Sequence, residues 1–446
     1  MILLQAPGFQ LSRSMCKHAT LALYVLLVLC LPSTVFSQQE DKDLKDVIRK
    51  WRKDSTDLLS PELQIGKNYI SILPVIGYAP ANGFVIGSAV SITRLVDKPP
   101  TNPSSGLINI QLTSKKQFII NARSKIYLKD NVWFLQGDWR ILFFAQPTYG
   151  LGINKTTANK FMIHVNGLET NTSPIEQPMR FNYFRFYEDV VRQIGGGHWY
   201  VGLGVAIDKL YSIKDEKLDL DTSDGTHFYT SHYAYSKIKG FDTVNYATTG
   251  FNLNILTDTR DNTANTYKGY FASVSFRFNP TWWGSDQQST MLLYDLRYYI
   301  GLSKARPRHV LALWSFGNFV TGGNVPYLTL PSIGWDTYNK SGRGYIQGRY
   351  RGIDMVYGEA EYRFPISRDN FIGGVAFVNT TFARGVDVND QTLEVTEQKL
   401  FAKAAPGIGG GLRLQMDKRA RVNLTIDLGY GADNSSGIYF NLQETF

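Results

Sequence analysis

The side chains best placed for chemistry lie in the second half of the chain. Arg343 sits in Gly342-Arg343-Gly344-Tyr345, and it is followed by the run Glu359-Ala360-Glu361-Tyr362-Arg363-Phe364, in which Glu359, Glu361 and Arg363 share one parity. This set suits ion pairing rather than bond making. A planar guanidinium holds carboxylates by parallel hydrogen bonds, most firmly where water is excluded. Gly344 allows a tight turn behind the arginine, and Tyr345 offers an aromatic face for packing. Catalysis fits the sequence poorly. His164, His198, His227, His232 and His309 show neither HxxxH nor HExxH spacing, and there is no GxSxG elbow. His227 and His232 share an expected loop with Asp221 and Asp224, which reads as a solvated loop rather than a metal site. Gly202 and Gly204 form a GxG with no helix behind it, so phosphate binding is unsupported. We therefore expect no enzyme, no catalytic residue, no cofactor and no metal.

The elements that must carry these residues are strands. Leu292, Tyr294, Leu296, Tyr298 and Ile300 alternate with Leu293, Asp295, Arg297 and Tyr299, and Val422, Leu424, Ile426, Leu428 and Tyr430 alternate with Arg421, Asn423, Thr425, Asp427 and Gly429. One face suits lipid and the other a polar lumen. A soluble sandwich shows the same alternation, so length decides. Many segments reach ten or more residues, the span of a tilted membrane strand, against about 5–6 in globular sheets. The expected fold is all-β, a single transmembrane antiparallel barrel of about 16 strands over residues 67–446. Long connections at 144–178, 213–245, 320–352 and 384–404 follow odd-numbered strands and are read as extracellular, which puts both termini in the periplasm.

The ends of the chain set the compartment. Lys17, the apolar run 19–31 and the small residues before Gln38 read as a secretory signal peptide over 1–37. Residues 38–66 form a short periplasmic arm, with Leu44, Val47, Ile48 and Trp51 at helical spacing. The cysteines, Cys16 and Cys30, both fall in the signal. Lys and Arg number 47 against 38 Asp and Glu, dispersed without a basic stripe, so nucleic acid is not an expected partner. At the far end, Ile438, Phe440, Leu442 and Phe446 share a parity and read as the lipid face of the closing strand. Pro74 and Gly77 should weaken the first strand, leaving a seam against the last one.

Three stretches, in order, resemble the BamA/TamA-like superfamily of outer-membrane barrels, also called bacterial surface antigen barrels. They are Leu73-Pro74-Val75-Ile76-Gly77 with Tyr149-Gly150-Leu151-Gly152, Asp258-Thr259-Arg260-Asp261-Asn262 with Tyr267-Lys268-Gly269-Tyr270, and the Arg343-Gly344-Tyr345 segment. The likeness spans roughly 69–446. It implies that the sixth extracellular loop folds into the lumen as a lid, bringing Arg343 to Glu359 and Glu361. Where the family usually has aspartate on the next strand, this chain has Asn379 in Phe377-Val378-Asn379, which accepts a hydrogen bond but supplies no charge. The resemblance also marks Phe440, Leu442 and Phe446 as a C-terminal assembly signal read by the barrel-assembly machinery. It implies a place in the outer membrane of a Gram-negative bacterium, contact with outer-membrane lipid, and insertion or translocation of protein or lipid through a lateral seam. The arm 38–66 holds no periplasmic repeat domain of the POTRA kind, so a separate periplasmic or surface partner protein is expected. A passive porin-like channel and a structural, partner-binding surface barrel stand as alternatives.

Overall fold

The computed structural model describes residues 41–52, 63–79, 83–98, 101–153, 161–165, 168–172, 176–221, 229–337, 339–388, 395–444 and 446. The signal segment and the pair His227 and Asp224 lie outside the described residues. Sixteen strands form one antiparallel sheet: β1 Asn68–Ala79, β2 Gly83–Arg94, β3 Ser104–Thr113, β4 Phe118–Tyr127, β5 Trp133–Thr148, β6 Gln177–Ile194, β7 Trp199–Asp215, β8 Tyr246–Asp258, β9 Gly269–Asn279, β10 Ser289–Gly301, β11 Val310–Gly323, β12 Asp354–Pro365, β13 Ile372–Ala383, β14 Ala405–Asp417, β15 Val422–Gly431 and β16 Ser436–Leu442. Each pairs with its neighbours in sequence, so the sheet is an up-and-down barrel wall.

Burial separates a membrane barrel from a soluble sandwich. On β8 the polar Asn252 and Asn254 are 3% and 6% exposed, while the apolar Leu253 and Ile255 between them are 50% and 46% exposed. Polar inside and apolar outside is the arrangement that only a lipid surround makes favourable. Among the described residues no helix is long and apolar enough to cross a membrane.

Connections after even-numbered strands are short, the longest being 259–268. Those after odd-numbered strands include 149–176, 216–245, 324–353 and 384–404. At the short-turn end, helix α1, Leu44–Arg52, docks beside the β12–β13 and β14–β15 turns. Lys42 pairs with Asp369 at 3.2 Å, Lys418 Nζ with Asp46 at 3.0 Å, and Lys45 with Asp417. At the other end, helix α2, Ser231–Lys239, is capped by Thr230, whose hydroxyl accepts from the Tyr233 N–H, and stopped by Gly240 at φ 74°.

The sheet does not close edge to edge. Among the described residues β1 pairs only with β2, and β16 only with β15. Pro74 lies within the β1 ladder opposite Ser88 and Gly77 opposite Val85. An edge strand tolerates the missing N–H. Beyond Tyr439 the two ends overlap. Leu442 is buried on Tyr69, Ala89 and Leu107, residues of the inward parity of β1–β3. A cavity of about 380 Å3 separates Leu424, Ile426 and Phe440 from the inward-facing Asn109, Arg123 and Arg140.

This overturns the lipid-facing reading for Phe440, Leu442 and Phe446, while Ile438 stays 61% exposed. Phe440 and Leu442 keep the outward parity but turn it to the inner surface of the first strands. Phe446 leaves that parity altogether. The strand ends at Leu442, Gln443 takes φ 74°, and the tail enters the lumen. There the Phe446 ring lies 5.2 Å from Trp314 and 6.2 Å from Tyr299. The Arg363 guanidinium donates to its main-chain oxygen at 3.0 Å. The left-handed residue breaks the two-residue period, and a lumen lined with aromatic rings offers the ring a better burial site than a lipid interface does.

Candidate functional site

The loop that follows β11, 324–353, is the sixth on the long-loop side, and it crosses the lumen from one wall to the other. Gly342 and Gly344, at φ 76° and 111°, shape the turn that presents Arg343. A Cβ on Gly344 would stand 2.7 Å from the backbone of Tyr430, so only glycine lets the loop lie this close to β15. Tyr439 braces the same turn: its hydroxyl accepts from the Gly344 N–H and donates to the Tyr345 carbonyl, both at 2.9 Å. Tyr345 packs edge-on against Tyr350 at 5.0 Å. Its hydroxyl donates to the Pro406 carbonyl and accepts from the Ala432 N–H.

Arg343 itself is 2% exposed. Its Nη2 donates to Glu359 Oε1 and Glu361 Oε2, each at 2.5 Å, and its Nη1 to Asp427 Oδ2 at 2.6 Å. The guanidinium plane lies 3.5 Å above the Phe377 ring. One cation so placed would leave excess negative charge, and further cations offset it. Arg363 Nε donates to Glu361 at 2.6 Å, and Arg413 to Asp427 and to Glu444 at 2.5 and 2.7 Å. Lys340 caps the Glu444 carbonyl at 2.5 Å. Buried charges of both signs, each hydrogen-bonded, are the arrangement that makes such a cluster tolerable.

Sequence reasoning named Glu359 and Glu361 as partners but missed Asp427, Arg413, Glu444 and Phe377. Asp427 was visible on the polar parity of its strand. What the sequence does not carry is which polar rows of the curved wall face each other. Asn379 behaves differently from expectation. It does not touch the guanidinium; its amide donates to the Arg343 carbonyl at 2.9 Å. The charge that aspartate would have given comes from Asp427 instead.

The opposite wall holds the other end of the loop. Arg140, fixed by Asp138 on β5, donates to the Asp336 carbonyl at 2.8 Å and to Asn339 Oδ1 at 2.6 Å. Trp335 inserts among Phe144, Phe181 and Tyr183, and its indole N–H donates to Gln146 at 3.0 Å. Beneath the loop a cavity of about 210 Å3 is lined by Asp138, Arg185, Asp189, Asp208 and Arg277. His232, expected in solvent, is fully buried on α2. Its Nδ1 bonds Asp215 at 2.8 Å, and its other nitrogen faces Tyr246. Packing of α2 onto loop 6 buries it, a tertiary effect no local spacing announces. Among the described residues no cluster suits a metal ion.

A family model, the Omp85 superfamily domain, matches residues 197–446. No curated protein matches the chain in sequence. Solved structures of similar architecture include BamA from Haemophilus ducreyi lacking POTRA domains 1–3. It is 14% identical with a TM-score of 0.45, over 84% of this chain and 69% of that one. CdiB from Acinetobacter baumannii is 14% identical with a TM-score of 0.48, over 84% and 59% of the two chains. CdiB from Escherichia coli is 10% identical with a TM-score of 0.48, over 84% and 62%. The chain thus spans about three fifths of each CdiB.

Proposed function

The chain belongs to the Omp85 superfamily, and from that premise we propose that this outer-membrane barrel inserts or translocates protein or lipid through the gap between β1 and β16, with loop 6 as its lid. The observation that carries the reading is the pair of unjoined sheet edges. Among the described residues each edge strand leaves one row of backbone donors and acceptors outside any ladder, a template for an incoming strand. Loop 6, clamped on both walls, keeps the lumen crossed while the seam works. That favours a gated device over a passive pore. Both termini then face the periplasm, where α1 sits, and a separate periplasmic protein receives the client. The work is mechanical, with no covalent step and no cofactor.

The test is to staple the seam. Ser91 Oγ accepts from Gln443 Nε2 at 2.8 Å across the overlap, and residues 41–446 contain no cysteine. Ser91→Cys/Gln443→Cys joined by a short bis-maleimide should abolish insertion or export of the client while each single cysteine retains it. Undiminished activity in the stapled barrel would show that the seam is not the route.

A further inference from the structure

Glu188 is out of place. On the sixteen strands the other acidic side chains point into the lumen or sit at strand ends, whereas Glu188 lies mid-strand on the outward row of β6 between Phe186 and Val190. A carboxylate on a lipid face is costly and marks a site with a partner. Its surroundings are shaped. Ser124, Gly137 and Glu188 stand in one register row across β4, β5 and β6. A Cβ on Gly137 would meet Glu188 Oε2, Ser124 Oγ and Cζ2 of the Trp139 ring, each at 2.8 Å. The two oxygens therefore lean toward each other over the glycine, no further apart than twice that distance. Both are covered, and the donor that approaches the carboxylate is the Trp139 indole N–H. The Trp139 indole borders the carboxylate and stacks on Phe186 at 6.4 Å, closing the notch from the lipid side.

We infer that this notch binds the primary ammonium of an aminophospholipid, with Glu188 and Ser124 as acceptors and Trp139 as a ring that turns aside to admit it. Two acceptors converging over one glycine suit one nitrogen carrying several N–H donors, and the negative charge selects a cation. The place also selects lipid, because outward rows meet only the bilayer. Four positions further along β6, toward the short turns, Arg192 lies over the Trp133 ring at 5.6 Å and marks the interface. Four residues are about 13 Å of strand, or roughly 10 Å of depth after tilt, so the bound headgroup is drawn below its usual level. The site rests on the barrel being membrane-embedded but is independent of any translocation activity.

Native mass spectrometry of the full barrel purified in detergent tests it. Phosphatidylethanolamine is offered against phosphatidylcholine, whose quaternary nitrogen has no N–H, and against phosphatidylglycerol, which has no nitrogen. Wild type should retain phosphatidylethanolamine about tenfold better than either, a factor equal to roughly 1.4 kcal/mol. Glu188→Gln removes the charge and Gly137→Ala fills the gap with Glu188 intact; both should erase the preference while heat-modifiable mobility shows the barrel folded. Equal retention of the three lipids by wild type, or a preference that survives in both variants, overturns the assignment.

Discussion

Arg343 is the residue on which the anchoring of loop 6 depends, since three carboxylates converge on it. Removing it leaves Glu359, Glu361 and Asp427 buried with fewer cations, a loss of about 3–5 kcal/mol for breaking such a set. Arg343→Ala should therefore lower the temperature at which the barrel loses heat-modifiable mobility, and raise its conductance in planar bilayers. Arg349→Ala should do less, because Arg349 lies over the Tyr149 and Tyr350 rings, whereas Arg343 donates to all three carboxylates. Equal effects would leave the clamp without a special role. Phe446 gives a second expectation. Phe446→Ala should destabilise by about 3 kcal/mol, as large-to-small changes in packed interiors do. Phe440→Ala, at a side chain 59% exposed, should cost less than half of that. Thermal unfolding of the two variants in one detergent checks the order.

Among the elements, α1 is held to the barrel rim by ion pairs rather than by apolar packing. Against the upward push of burial, Lys418 and the Asp43 backbone hold Asp46 below the usual carboxylate value, while Ser367 and Lys42 do the same for Asp369. A lowered folded value means that docking stability is whole above pH 3.8 and is lost as pH falls below it. Asp43, raised by its own burial, opposes the trend and blunts it. Limited proteolysis at Arg49 and Lys50 should speed up below that pH. It should speed up in Lys418→Ala at neutral pH too, and added salt should bring wild type nearer the variant. The strands were legible from the sequence, because a two-residue period persists wherever one face meets lipid. The tail was not, since a single left-handed residue, Gln443, cancels the period. Arg343 and its glutamates were legible by motif and parity. Asp427, Arg413 and His232 were not, because their partners come from distant elements brought together only by the curvature of the wall and the descent of loop 6.

At the scale of the molecule, the lumen is occupied from both ends. Loop 6 enters from the long-loop side, and the 259–268 hairpin with the C-terminal tail enters from the other. Asp261 on that hairpin pairs with Arg421 at 2.6 Å, and Ala264 is buried. Wild type should accordingly show low, infrequent conductance. Deleting 334–347 while leaving the strands intact should give large steady steps. Steady large steps in the wild-type protein would point to an open pore and against a lid.

The overlap of β16 beneath β1–β3 makes the girth of the wall variable. A cylinder sealed by hydrogen bonds must break a ladder before it can widen, but a scroll widens by letting one edge slide out from under the other. Under the proposed insertion, each guest strand would add about 4.8 Å to the perimeter. The length of tucked-in edge then sets how much can be taken up before any ladder ruptures. The contacts of Leu442 with Ala89 and Leu107 act as the friction that keeps the scroll wound.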